Sequence, residues 1–154
     1  MAEKIDDFDR NILRAYQQDP GISMDALGAK VGLSHTPCWR RLKKLEDAGI
    51  IRGKSLELDR EALGLSVVVL VQVRLRQHDE QTLVDFEAGV QRQPEIVDCY
   101  LVAGDYDYSM KIVCGDAKDY ERLLKKTLLH LPGVVSMNSH FCLKEIKHTT
   151  RLPL

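Results

Sequence analysis

Apolar positions recur along this chain with two different periods. Up to residue 48 they fall three or four apart, the spacing of helices that bury one face. Ile5, Phe8, Ile12, Leu13 and Tyr16 make one such stripe and predict a helix over residues 5–18. Asp6 is placed to cap it, and Asp7 and Asp9 suit the positive end of its dipole. Asp19-Pro20-Gly21 ends it. A shorter helix follows from Ser23 to Val31, with Met24, Leu27 and Val31 inward, and Gly32-Leu33 leaves room only for a tight turn. Ser34 then opens a third helix as an N-cap whose hydroxyl accepts a backbone N–H. Pro37 sits in its first turn, Cys38, Leu42 and Leu45 line its inner face, and Gly49 stops it.

From residue 50 the pattern alternates. Ile50 to Leu58 reads as a strand, the wing of a winged helix, and residues 59–65 as a hinge. Ser66 to Arg76 is a strand rich in β-branched residues. Residues 79–92 are helical, with Leu83, Phe86 and Val90 inward. Ile96 to Ala103 and Asp107 to Cys114 are strands joined by a turn at Gly104-Asp105-Tyr106. Residues 117–130 form another helix, Val134 to Ile146 a fourth strand, and Lys147 to Leu154 a tail able to add one more. The order βαββαβ is the ferredoxin-like arrangement. The fold class is therefore α+β: a winged helix-turn-helix over residues 1–58, a hinge at 59–65 and a ferredoxin-like domain over 66–154. Helices on one face of an antiparallel sheet leave the other face open. Apolar side chains are expected there, covered by the sheet of a second copy in a homodimer.

The charge pattern gives the third helix a candidate task. Net charge is −1, yet residues 34–54 hold Arg40, Arg41, Lys43, Lys44, Arg52 and Lys54 against Glu46 and Asp47. The preceding residues are acidic: Glu3, Asp6, Asp7, Asp9, Asp19 and Asp25. A run of charge alone is ordinarily a solvated surface. A helix, a short turn and a basic helix in succession make the helix-turn-helix of DNA-binding proteins, here Met24 to Lys43. Ser34, His35, Thr36 and Pro37 would open the reading helix, with Arg40, Arg41, Lys43 and Lys44 reaching phosphates and base edges. Arg52 and Lys54 would touch the backbone beside the groove, or merely solvate a linker.

The segment ISMDALGAKVGLSHTPCWRRLKKLEDAGII resembles the N-terminal domain of the Lrp/AsnC family of bacterial transcription regulators, with its VGLS turn, TPC and paired basic residues. YLVAGDYDYSMKI, LLHLPGV and SHFCLKEIKHTTRLPL resemble the family's regulatory domain, so the likeness spans nearly the whole chain. It implies a regulator of amino-acid metabolism that binds double-stranded DNA and answers to a small amino-acid-like effector. It also implies a homodimer that assembles further, to a tetramer or octamer. The effector pocket is implied at the Gly-Asp-x-Asp loop, here Ala103, Gly104, Asp105, Tyr106, Asp107 and Tyr108, with Asp105 or Asp107 taking an α-ammonium group. His140 and Phe141 match positions where the family tunes its response. Gly104-Asp105 and Asp107-Tyr108 also read simply as turn formers. TPCW, LED and the tail TTRLP are similar to regulators that sense cysteine, and to others that govern branched-chain keto acid breakdown.

Composition removes other classes. No apolar run reaches the length of a membrane span, and Met1 to Asp6 lacks the pattern of a signal peptide, so the cytoplasm is expected. Cys38, Cys99, Cys114 and Cys142 form no CxxC pair, and the five histidines show no metal spacing. No metal and no cofactor is expected, and with no Cys–His pair or phosphate loop an enzyme is disfavoured. A metabolite-binding module of this fold without DNA regulation is the alternative reading, against which the intact basic helix argues.

Overall fold

The structure is a computed structural model and describes residues 5–154. Residues 1–4 of the Met1 to Asp6 stretch, acidic Glu3 among them, lie outside the described residues. Two compact units are present: one reaches to Glu57 and includes Lys147–Leu154, and the other is Leu58–Ile146.

The first unit packs α1 (Asp7–Gln18), α2 (Met24–Val31) and α3 (His35–Asp47) around one core. A reciprocal capping box starts α1: Asp9 N donates to Asp6 Oδ1 at 2.8 Å, and Asp6 N to Asp9 Oδ2 at 3.2 Å. Ile12, Leu13, Ala15, Tyr16, Leu27, Cys38, Leu42 and Leu45 are buried together. Full burial of a leucine contributes about 1.5–3 kcal/mol, so the Leu42 and Leu45 face commits α3 to a fixed orientation. Phe8, expected inside, is 44% exposed at the rim, beneath the Arg41 guanidinium at 5.4 Å. Gly28 lets α2 approach the turn: a Cβ there would lie 2.6 Å from the carbonyl oxygen of Leu33. Gly32 then takes a left-handed conformation, φ 71°, and redirects the chain into α3.

Residues 50–58 do not form the expected wing strand. Ile50 N and Ile51 N both donate to Leu45 O and close the end of α3. Alternation alone makes no strand where no neighbour supplies a ladder. The tail also adds no strand. Side chains of α1 hold it instead: Arg14 Nε donates to Leu154 O at 2.7 Å, and the Gln17 amide exchanges two bonds with the Leu152 backbone, at 2.9 and 3.0 Å.

The second unit has β1 (Val67–Leu75), α4 (Glu80–Gln91), β2 (Ile96–Leu101), β3 (Tyr108–Cys114), α5 (Ala117–Lys126), a single 3-10 turn at Leu128–His130 and β4 (Val134–Phe141). The strands form one antiparallel sheet in the order β2-β3-β1-β4. This is the expected ferredoxin-like βαββαβ layout, although α5 and β4 end earlier than their apolar patterns suggested. Val69, Val71, Val73 and Leu75 of β1 and Met110 and Ile112 of β3 are buried with Phe86, Tyr120 and Leu128. The opposite face is mixed rather than uniformly apolar: Val68 lies opposite Val113, and the neighbouring rows are largely polar. Register places Asp98, Lys111, Leu70 and His140 in one row and Tyr100, Ser109, Gln72 and Asn138 in the next. Polar and charged residues outnumber Leu70 and Tyr100 in those rows.

Candidate DNA-reading helix and effector loop

The buried side of α3 is Cys38, Leu42 and Leu45, so Thr36, Arg40 and Lys43 project the opposite way, into solvent. Ser34 occupies the N-cap with extended backbone, but its hydroxyl makes no capping bond, contrary to the expectation. Ser34, His35, Thr36 and Pro37 are all exposed at the start of the helix. Arg40 is exposed and forms no ion pair among the described residues. Lys43 Nζ lies 3.0 Å from Asp47 Oδ1 one turn on, and Asp47 holds the ammonium pKa above its ordinary value. Lys44 is exposed on the flank.

Arg41 does not join this face. Its Nη1 lies 2.7 Å from Asp6 Oδ2 and 2.8 Å from Asp9 Oδ1. Its Nη1 is thus engaged by two carboxylates of the first helix and its cap, which draws the side chain toward α1. Asp6 is held below the usual carboxylate range, first by the backbone N–H of Asp9 and then by Arg41. Past the helix, Arg52 is exposed, whereas Lys54 Nζ sits over the Tyr16 ring at 5.0 Å.

The loop between β2 and β3 is held as firmly. Asp107 accepts from Leu75 N at 2.7 Å through Oδ2, and its Oδ1 lies 2.7 Å from His78 Nε2. Those bonds, the backbone one foremost, pull its pKa below the ordinary carboxylate value. Arg74 donates to the Asp105 carbonyl oxygen and lies over the Tyr106 ring at 5.7 Å. Asn138 Nδ2 donates to the Tyr106 hydroxyl at 2.5 Å. Gly104 has φ 140°, and the Asp105 side chain is exposed beside it. Tyr108 is core, not loop surface: its ring packs on Phe86 at 4.5 Å and its hydroxyl donates to Glu87 Oε1 at 2.8 Å. Burial and Glu87 push its pKa up. His140 and Phe141 are successive strand residues and face opposite sides of the sheet. Phe141 lies against Tyr120 under α5, at 5.3 Å, and His140 is on the open face. The candidate residues therefore do not converge on one pocket within a single chain.

Two family models match, a winged helix-turn-helix DNA-binding domain over residues 5–52 and the Lrp/AsnC ligand binding domain over residues 68–152. The chain belongs to the Lrp/AsnC family of transcriptional regulators. It is 38% identical over 150 residues to the DNA-binding transcriptional activator DecR of Escherichia coli K12, covering 97% of this chain and 99% of that one. It is 40% identical over 151 residues to the leucine-responsive regulatory protein of Salmonella typhimurium, covering 98% and 92%. A transcriptional regulator from Neisseria meningitidis, solved in complex with L-Met, superposes with a TM-score of 0.93 at 37% identity, covering 97% of both chains. As a DNA-binding regulator of Lrp/AsnC type, the chain pairs a helix-turn-helix with a ligand-binding domain, and its relatives are regulators, not enzymes. No described helix is long and apolar enough to cross a membrane.

Sequence reasoning missed two sets of residues in this Lrp/AsnC protein. Trp39 belongs to neither the apolar stripe nor the cationic run, yet it is half-exposed on α3 beside Arg40 and Lys43. Arg74 and His78 give no local signal either, because their partners lie 31 and 29 residues further along the chain.

Proposed function

We propose that this protein regulates genes of amino-acid metabolism, and that a small amino-acid-like effector modulates its DNA binding or assembly. The outward face of α3 carries this reading: Thr36, Arg40 and Lys43 on one side of a helix whose other side is locked in the core. In a homodimer two such helices would enter successive major grooves about 34 Å apart. Arg and Lys would set affinity through phosphates, and Ser34, His35, Thr36 and Arg40 would set sequence at base edges. Such a protein works where the DNA is, in the cytoplasm. Asp105 is the better candidate for an α-ammonium group, since Asp107 is occupied by Leu75 N and His78. Leu70 and Tyr100 give the open sheet face an apolar part for a partner sheet, and tetramers or octamers would follow by further contacts between dimers. Cysteine and branched-chain compounds are both candidate effectors, since the TPCW and TTRLP segments are similar to regulators of either kind. The L-Met complex of the similar regulator adds methionine.

The test is a thermal-shift screen of the amino acids, starting with cysteine, methionine, leucine and lysine, paired with gel-shift assays on duplexes selected by the protein from a random library. One amino acid should raise the melting temperature and change duplex affinity or complex size. Selective duplex binding that no amino acid alters would refute the effector half, and failure to select any sequence would refute the DNA half.

A further inference from the structure

Trp39 is the chain's only tryptophan, and it is 51% exposed although it sits on a helix whose inner face is fully packed. Nothing in the first unit's core needs it: Cys38 and Leu42, one residue before and three after, already fill that side. Its neighbours on the surface are Arg40, Lys43, Lys44, Asp47 and Ala48, which with it line a shallow depression. Trp39 and Lys43 are one turn apart and share a flank, and Arg40 follows immediately. An indole on a cationic face complements a polyanion that also offers apolar groups.

We propose that Trp39 is a specificity-determining residue that packs its indole against a thymine methyl in the major groove; this rests on the DNA-binding reading above. Trp39 is the fifth residue of α3, within the N-terminal half that a recognition helix presents to base edges. The C5-methyl of thymine is the apolar group that bases offer in that groove. The flanking Arg40 and Lys43 would bring phosphates and guanine edges to either side and exclude water around the contact. The indole thus supplies apolar readout where its cationic neighbours supply charge.

The experiment uses the full-length protein and a duplex it has selected from a random library. Each thymine of the site is replaced in turn by deoxyuridine, which removes only the methyl, and each duplex is titrated with the native protein and with Trp39→Ala. Trp39→Ala should weaken the thymine duplex roughly five- to tenfold, within the range a single misread position costs. At one position the uracil duplex should already be weakened for the native protein, and Trp39→Ala should then add less than about a twofold loss. Equal losses on thymine and uracil duplexes at every position, or no loss at all, would overturn the proposal while leaving DNA binding intact. If the protein selects no duplex, both readings fall together. As a check independent of any variant, the single tryptophan's fluorescence should be shielded from acrylamide when the selected duplex binds; unchanged quenching would also overturn it.

Discussion

Arg41 Nη1 donates to the Asp9 carboxylate at 2.8 Å, tying the third helix to the first. Asp9 is 3% exposed, and Arg41 is the cation paired with it among the described residues. Removing one member of a buried pair leaves the other uncompensated. Arg41 is itself about one-third exposed, which lets water replace part of the loss. Arg41→Ala should therefore destabilise the protein by about 1–3 kcal/mol, seen as an earlier urea midpoint. At temperatures where the variant is folded, its preference among DNA sequences should be unchanged. A variant of normal stability with altered base preference would return Arg41 to the groove.

Arg40 should behave in the opposite way. It is exposed, faces away from the core and has no ion pair among the described residues. Arg40→Ala should leave the unfolding curve within about 0.5 kcal/mol of the native one. Binding to the selected duplex should weaken by roughly 1–3 kcal/mol, with relaxed preference at one position if the side chain reads guanine. Uniform weakening across sequences would make it a phosphate contact instead.

The contrast between these two arginines marks how far the sequence could be read. Helical spacing located α3, its inner face and the run of cations. Spacing grouped Arg41 with that run, because the carboxylates that pair with it lie 35 and 32 residues earlier. The strand order was legible because β-branched stretches, Pro94 and Pro132-Gly133 punctuate it. The wing was not, because alternation in Ile50–Leu58 says nothing about whether a partner strand exists. At the effector loop, the family resemblance picked out Asp105 and Asp107 equally. Only the tertiary fold distinguishes them, by bringing Leu75 N and His78 to one and neither to the other.

Gly28 offers a test with a reversed sign. In an exposed helix interior, alanine is more favourable than glycine by about 1 kcal/mol. Here the added Cβ would meet the Leu33 carbonyl oxygen at 2.6 Å, and backbone cannot swing away as a side chain does. Gly28→Ala should lower stability by roughly 1–3 kcal/mol and spread the turn that sets the angle of α3. DNA affinity should fall with it, measured by melting and gel shift on the same preparation. A stabilised variant would mean that the turn relaxes freely.

The two loop aspartates should separate function from folding. Asp105→Ala should leave melting unchanged in the absence of effector and abolish the effector-induced shift, because its side chain is exposed in the turn. Asp107→Ala should lower stability by about 1–2 kcal/mol, since Leu75 N loses its acceptor. Acid should reveal the same bond. The folded pKa of Asp107 lies below its unfolded value, about 3.9. Its contribution is therefore complete above roughly pH 4 and disappears as pH falls through the lower folded value. Other carboxylates in the chain, Asp6, Asp79 and Glu121, are depressed in the same direction, so the native protein's acid unfolding mixes several groups. The difference between native protein and Asp107→Asn isolates one of them. That variant keeps an oxygen for Leu75 N but cannot titrate, so its urea midpoint should fall less steeply than the native one below about pH 4. Parallel curves would remove Asp107 from the acid response and with it the argument that this carboxylate is engaged before any effector arrives.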